Sequence, residues 1–479
     1  MSWWTALWMV EVGWVVAIAV TIILERRSPV ATFAWIGTLA WLPVVGIAVY
    51  YFFGPRRLRR RKMRLQASAK RIARAARAFD ERMDDERWSG LARAAMSLGE
   101  APPLAADDVE VFTEGDAFFD ALESAIDEAQ EHVHLEFYIY DGDEIGARIR
   151  DALVRARKRN VEVRLLLDGI GSVSLSNSFL RPLEAAGGEV AFFNPVSGFR
   201  PRMANFRTHR KIVVCDGRVG FTGGMNITRD HSARCLKEHA WRDTQMRFRG
   251  PAAGALQRVF LPDWYFATGI PEDENAVRFF PLPPATAHQS RAPGATEGTL
   301  LQVVSSGPDK DMFAVHQLFF GAIAQAQERV WLTTPYFVPD ESTLAALIAA
   351  ALRRVDVRIL VPARSDNLLA DMASRSYFPE LARAGVKISQ YTPQMLHAKT
   401  LVVDQDLAII GTANFDNRSF RLNFEVVAAA YCRKTTAELA GHFERDLLQS
   451  SPVRVRDIRE KGFVERLGES CARLFSPLL

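Results

Sequence analysis

Two stretches of this chain repeat each other, and that repetition restricts it to a paired architecture. Ala125 to Val133 reads AIDEAQEHV, and Ala322 to Val330, 197 positions on, reads AIAQAQERV. Each closes a helical pattern and runs into an apolar, strand-like stretch, HLEFYIY from His134 and WLTTPYFV from Trp331. An alanine- and arginine-rich helical segment follows in both copies, then VEVRLLLDG from Val161 and VDVRILVPA from Val355. A third shared block opens at His209 and at His397. The offset between copies drifts from 197 to 194 to 188 positions, as small loop differences between two related units would produce. Strands of Val, Ile and Leu alternating with amphipathic helices predict that each unit is an α/β layer around a mostly buried sheet. The first repeat is placed at 106–270 and the second at 300–450. Residues 271–299, rich in proline and polar side chains, read as a connector, and 451–479 as a separate C-terminal segment.

The front of the chain has a different character. Six of the ten tryptophans precede residue 54, Trp3 to Leu24 is apolar apart from Glu11, and Val30 to Phe53 carries no charge. Each run matches the roughly 20 residues that a helix needs to cross a bilayer, and Glu25-Arg26-Arg27-Ser28-Pro29 suits a polar turn between them. Residues 1–55 therefore predict two transmembrane helices in a hairpin. A signal peptide is disfavoured, because the start lacks a basic leader and no small-residue cleavage site follows. Seven basic and no acidic residues lie between Arg56 and Arg64, against only Arg26 and Arg27 in the turn. That bias predicts that the catalytic part lies on the cytoplasmic side, and that 56–105 forms a basic juxtamembrane helical linker facing anionic lipid headgroups.

The third shared block carries the chemistry. The first copy has His209, Lys211 and Asp216, then Gly223-Gly224 and Asn226; the second has His397, Lys399 and Asp404, then Gly411-Thr412 and Asn414. Both are H-x-K-x4-D with an asparagine 17 positions after the histidine. One such pattern is weak evidence, but two in register with an independent repeat are strong. Alternation along an extended strand sends each histidine and its lysine to one face, and the glycine turn lets the asparagine return to that face. Two such faces brought together offer two imidazoles, two ammonium groups and two amides, which suits a phosphodiester. Lysines and asparagines would hold the non-bridging oxygens of a five-coordinate phosphorus. One neutral imidazole would attack while the other, protonated, feeds the leaving alkoxide. No carboxylate cluster accompanies the pair, so neither a Mg²⁺ or Ca²⁺ site nor any cofactor is expected. Asp216 and Asp404 belong to the motif as catalytic candidates, although their place at the strand ends also suits bracing.

These motifs resemble the paired HKD signatures of the phospholipase D superfamily, and nearly the whole chain is similar to bacterial cardiolipin synthases of the phospholipase D type. RRSPVATFAWIGTLAWLPVVGIAVYYFFGP resembles their membrane anchor, NFRTHRKIVVCDG and MLHAKTLVVD their active-site strands, GTANFDNRSFRLNFE their long second motif, and LFSPLL their C-terminus. The resemblance implies two α/β repeats related by pseudo-twofold symmetry with one active site at their interface. It also implies residence in the bacterial inner membrane, with phosphatidylglycerol and cardiolipin as substrate and product. Thr412 stands where the family usually has serine, and Gly224 takes that place in the first copy. The family orients each histidine through an acidic residue after the asparagine. Glu425 matches that position, and Asp243 is the candidate in the first copy despite a spacing of 17 rather than 11 residues. By analogy His209 is the nucleophile and His397 the acid. His231 and His239 have no counterpart in the second copy and read as ordinary core or surface histidines, while Arg207 and Arg210 either meet lipid phosphates or line a solvated loop.

The reaction this implies is transfer of a phosphatidyl group from one phosphatidylglycerol to another, giving cardiolipin and glycerol; the alternative is hydrolysis to phosphatidic acid. A nuclease is disfavoured, since 60 basic against 56 acidic residues leave a net charge of only +4, and no nucleic-acid partner is expected. Two intact motifs argue against a non-catalytic lipid-binding scaffold. Four scattered cysteines without a CxxC pair exclude a zinc ribbon, a dithiol redox site and a disulfide framework.

Overall fold

The computed structural model describes residues 3–24, 29–41, 87–195, 205–270, 274–280, 299–310 and 312–479. The chain divides into two compact units, one containing the N-terminal 58 residues and the other nearly all of the rest. In the first unit, α1 (Trp3–Leu24) and α2 (Pro29–Trp41) are 22 and 13 residues long and touch each other. Ile22 and Leu39 are buried, whereas Trp14, Val16, Val20, Phe33 and Trp41 are exposed. Several α1 side chains, Glu11 among them, lie outside the described residues. Among the described residues no helix is long and apolar enough to cross a membrane. The basic stretch 56–64 and most of the connector also fall outside the described set.

The second unit opens with α3 (Ser89–Ser97). This helix belongs to the stretch read as a linker, yet Trp88, Leu91 and Ala95 are built into the core of the second repeat. The Trp88 indole donates to Asp406 at 2.8 Å. The first repeat follows as β1 (Leu104–Phe112), α4 (Gly115–Glu128), β2 (His132–Phe137), α5 (Glu144–Lys158), β3 (Glu162–Asp168), α6 (Asn177–Ala185), β4 (Glu189–Phe193), β5 (Ile212–Cys215), β6 (Val219–Gly223), β7 (Gln245–Arg249) and α7 (Pro251–Thr268). The second contains β8 (Thr299–Ser306), α8 (Ala314–Gln325), β9 (Arg329–Thr333), the short β10 (Phe337–Val338), α9 (Glu341–Leu352), β11 (Asp356–Pro362), α10 (Leu368–Ala384), β12 (Lys387–Tyr391), β13 (Thr400–Val403), β14 (Leu407–Gly411), β15 (Phe415–Asp416), α11 (Asn417–Arg421) and β16 (Glu425–Tyr431). The C-terminal α12 (Arg433–Leu448), β17 (Ser450–Pro452) and α13 (Phe463–Arg473) complete it.

The duplication is written into the sheet. The strands of the first repeat lie in the order β1-β7-β6-β5-β2-β3-β4, and those of the second in the order β8-β16-β14-β13-β9-β11-β12. Each strand of one series matches its homologue in the other. The two series join where β1 and β8 pair antiparallel, Leu104 opposite Leu301 and Ala106 opposite Thr299, as a twofold axis between them requires. A single 15-stranded sheet results, with β17 added at one edge.

Local sequence explains the shared framework. β2 is buried at every position, and β3 at all but its first, because helices cover both faces of a parallel sheet. On α5 the buried residues Ile145, Ile149, Ala152, Leu153 and Ala156 recur at helical spacing. Asp143 caps that helix, accepting from the backbone N–H groups of Ile145 and Gly146 at 3.0 and 2.9 Å. Asp340, its counterpart, caps α9 through Thr343 N–H at 2.9 Å. Each cap is worth about 1 kcal/mol, and both set the direction of the chain leaving the sheet beside the site.

Candidate active site

The two histidine strands are held together by each other's repeat. Thr208 and Phe424 form a parallel bridge, as do Arg242 and Leu396. His209 N–H donates to the Phe424 carbonyl at 2.9 Å, and His397 N–H to the Arg242 carbonyl at 2.7 Å. The residue after each accepting carbonyl is the acid that meets the histidine. His209 Nδ1 lies 3.0 and 3.1 Å from the two Glu425 oxygens, and His397 Nδ1 lies 2.7 Å from Asp243 Oδ2. Orientation is therefore exchanged between repeats: the second supplies the carboxylate for the first histidine, and the first supplies it for the second. A carboxylate on Nδ1 fixes the proton there and leaves Nε2 as the free nitrogen of each ring.

Both lysines share this volume. Lys211 Nζ donates to the His209 carbonyl at 2.8 Å, and Lys399 Nζ donates to the His397 carbonyl. Both lysines and both histidines are buried. Burial pushes His209 down to about 4 against the pull of Glu425, and the charges of Lys211 and Lys399 add to that push. His397 is held well below the usual imidazole range by burial, then by Lys399, Lys211 and His209. Burial and the Lys399 charge lower Lys211 to about 7, and burial lowers Lys399 to about 8. Burial pushes the Glu425 carboxyl up, but His209, Lys211 and the Thr412 hydroxyl outweigh it and keep the group below its ordinary range. An anion bound beside these groups would raise them toward their charged forms, and a phosphodiester is such an anion.

Aromatic rings flank each imidazole. Tyr138 meets His209 edge-on with ring centres 5.1 Å apart, and Trp241 lies 5.2 Å from His397. The Asn226 side-chain oxygen accepts from Ile139 N–H at 3.2 Å, which leaves its amide hydrogens for a ligand. Asn414 is also buried, and its N–H donates to Ser419 Oγ at 3.2 Å. The first copy does the same with a different acceptor: Asn226 N–H donates to His231 Nε2 at 3.2 Å.

His231 is thus no ordinary core histidine. Its buried ring lies 6.0 Å from that of His397, with Nδ1 3.9 Å from Asp243. One ligand atom each from His231, Asp243 and His397 lie within 4.8 Å of one another, a spacing that could hold a cation. The Lys399 ammonium, 2.8 Å from His397 Nδ1, opposes a second positive charge there. His239 is exposed at the surface.

The other candidates have structural partners. Asp216 accepts from the N–H groups of Gln130, Glu131 and His132 at 2.9, 2.8 and 2.9 Å. Asp404 accepts from Gln327, Glu328 and Arg329 N–H at 3.0, 2.6 and 2.9 Å and pairs with Arg87. Both have positive φ, 54° and 50°, and both brace hairpin turns at the strand ends away from the histidines. Arg207 and Arg210 are neither solvated nor turned to a lipid. Arg207 is buried against Asp168 at 3.2 Å. Arg210 is buried in an ion pair with Asp263 and donates to the carbonyls of Ser306 and Glu425 at 3.1 and 3.2 Å. Alternation explains it, since Arg210 points away from the face that carries His209 and Lys211.

The buried imidazoles give the fold a pH dependence of known sign. Burial pushes His132 and His209 down to about 4 and His231 down to about 3, and it holds His134 and His397 well below their ordinary range. An unfolded chain protonates them at about pH 6.5. Below that value the unfolded state binds more protons than the folded one, so stability falls as pH drops. Asp416, raised to about 6 chiefly by burial, acts in the opposite sense, as do Asp168, Asp230, Glu438 and Asp446, also raised by burial, but these start from the lower carboxyl range. The denaturant midpoint of the detergent-purified chain should fall steadily between about pH 7 and about pH 5. A midpoint that is flat or rising over that interval contradicts the burial of these rings.

A duplicated α/β unit whose two H-x-K strands bring their buried histidines and lysines within electrostatic reach of one another fits an enzyme that acts on phosphodiesters. A family model described as cardiolipin synthase, phospholipase-D-like domain, matches residues 122–264 and 319–447, and one described as phospholipase D-nuclease N-terminal matches 12–55. Cardiolipin synthase 1 of Bacillus cereus is 36% identical over 99% of this chain and 93% of its own length. The cardiolipin synthase of Geobacillus thermodenitrificans is 39% identical over 97% of this chain and 92% of its own. Among solved structures, phosphatidylserine synthase of Haemophilus influenzae aligns over 81% of this chain and 100% of its own with a TM-score of 0.59 at 15% identity, a likeness of fold. The chain belongs to the phospholipase-D-type cardiolipin synthase family.

Proposed function

We propose that this enzyme transfers a phosphatidyl group from one phosphatidylglycerol to the headgroup hydroxyl of another, releasing glycerol and forming cardiolipin. The crossed pairing of two histidines with two carboxylates around two lysines carries the reading. His209 Nε2 attacks phosphorus, and Nδ1–H remains on Glu425, whose negative charge offsets the cationic phosphohistidine. Lys211 and Lys399, with the amides of Asn226 and Asn414, hold the non-bridging oxygens. His397 takes up a proton once the bound anion offsets the lysine charges and delivers it to the departing glycerol oxygen. It then removes the proton of the incoming hydroxyl, which displaces His209.

The N-terminal unit supports a membrane setting for this chemistry. Trp3, Met9, Trp14, Val16, Val20 and Ile23 of α1 all stand exposed, as lipid-facing residues would. In this reading 1–55 is a transmembrane hairpin in the bacterial inner membrane, and the basic stretch after it lies on the cytoplasmic side against anionic headgroups. Held at headgroup level, the phosphoenzyme meets lipid hydroxyls at high effective concentration and water less often.

Incubating the purified full chain with phosphatidylglycerol should give cardiolipin and glycerol. Phosphatidic acid as the main product would replace transfer by hydrolysis, and no lipid turnover would remove the reading. Acid-free trapping of the phosphoenzyme followed by peptide mapping should locate the phosphate on His209; label on His397 reverses the two roles.

A further inference from the structure

The C-terminal helix α13 turns an apolar face toward water. Gly468, Glu469 and Ala472 pack inward, and Ala472 joins the core of the second repeat. On the other side Val464, Leu467, Cys471 and Leu474 recur at helical spacing and are all exposed, with Phe463 beside them. Phe463 and Val464 are 71% and 81% exposed. Phe475 and Leu478 extend the patch into the tail. An outward stripe of this kind is the reverse of an ordinary surface helix.

The helix that carries the patch packs along α10. A Cβ on Gly468 would stand 2.9 Å from Met372, and Arg473 lies over Tyr377 at 4.1 Å and pairs with Glu380 at 2.9 Å. The two helices therefore run side by side in the same direction, which brings Phe463 and Val464 to the end of α10 that exposes Leu368 and Leu369. That end is two residues past Asp366, a carboxylate close enough to act on the charge of Lys399. From the far end of the patch, the Leu479 carbonyl accepts from Arg418 N–H at 2.7 Å. Arg418 sits in α11, four residues after Asn414. Arg454 and Arg466 are exposed, and residues 451–479 hold six basic and four acidic side chains.

We infer that this face docks on an anionic phospholipid bilayer and seats the active-site mouth at headgroup level. An amphipathic helix with apolar residues facing outward and arginines beside them partitions into the headgroup boundary, and the surface it would meet is the one that holds the substrate. The inference rests on the lipid-transfer reading given above. It accounts for an apolar stripe that neither the core nor the chemistry uses.

The test compares one full-length enzyme on two forms of phosphatidylglycerol. Phe463→Asp/Val464→Asp is assayed on phosphatidylglycerol–phosphatidylcholine vesicles and on short-chain phosphatidylglycerol kept below its micelle threshold. Docking predicts at least a severalfold loss of rate on vesicles, with the monomer rate within about twofold of wild type. Leu448→Asp, which charges an exposed leucine outside the patch, should leave both rates unchanged. Unchanged vesicle rates, parallel losses on both substrates, or an equal loss in the Leu448 variant each overturn docking. If the wild-type chain turns over neither form, the lipid-transfer reading fails instead.

Discussion

Glu425→Gln should reduce turnover by roughly three to four orders of magnitude, although the residue lies 216 positions from the histidine it serves. A glutamine fills nearly the same volume, so the loss would be chemical. Its amide neither fixes the proton on Nδ1 of His209 nor offsets the positive charge that appears when Nε2 is phosphorylated. Thr412 donates to this carboxylate, and Asn423 approaches it at 3.4 Å, so the glutamine also meets donors that expect an acceptor. The double variant Glu425→Gln/His209→Ala should be no slower than His209→Ala alone, because both substitutions remove one unit. A phosphodiester with a p-nitrophenyl leaving group separates the two halves, since that group departs without a proton. With Asp243→Asn or His397→Ala the first burst of nitrophenol should survive, whereas with Glu425→Gln or His209→Ala it should vanish. A burst that survives only in the second pair would exchange the roles, and one lost equally in all four variants would end the division of labour.

That experiment rests on the feature the sequence shows least. The H-x-K pairs, the glycine turns and the matching strand order are legible because they follow short periodicities: residues two apart share a strand face, and a repeated unit repeats its pattern. The buried strands VEVRLLLD and VDVRILVP likewise declare a sheet covered on both sides. Which carboxylate meets which histidine is a property of the interface. It depends on Phe424 and Arg242 each offering a carbonyl to the other repeat's histidine strand, and no local pattern encodes that register. Glu425 is recognisable from its place after Asn414, but its partner is not.

Other parts of the site show less plainly in the sequence for related reasons. Asp243 lies further from its asparagine than Glu425 does because short helical turns at Arg229–His231, Ala233–Leu236 and Lys237–His239 fill the space that α11 occupies in the second copy. Those turns also carry His231 into the site, where it accepts the N–H bond that Ser419 accepts in the other half. Aligning the two asparagines and counting five residues onward would have found the equivalence. Arg210 is harder to foresee, because its burial depends on Asp263, an acidic residue between apolar neighbours in the second half of α7, and nothing local links the two.

The difference between Gly224 and Thr412 has a steric cause, and it supports the other large expected effect. Gly224 N–H donates to the Thr244 carbonyl and Thr412 N–H to the Val426 carbonyl, both at 2.9 Å, so backbone and register are alike in the two halves. In the first half the acid is one carbon shorter and lies directly over the glycine. A Cβ on Gly224 would fall 2.0 Å from Asp243 Oδ1 and 2.7 Å from its Cγ. Asp243 has no room to retreat, since it is buried and holds His397 at 2.7 Å and Thr244 N–H at 2.7 Å. Gly224→Thr, the residue the second copy itself uses, should therefore displace the carboxylate and cost at least about a hundredfold in turnover, through His397 rather than His209. The second copy also suggests the remedy. There the threonine hydroxyl donates to the longer glutamate instead of colliding with it, so Gly224→Thr/Asp243→Glu should recover a substantial part of the loss. Recovery would show that each half-site matches the length of its acid to the residue beneath it. A double variant no faster than Gly224→Thr, with its melting profile intact, would mean that the glycine serves some purpose other than making room for Asp243.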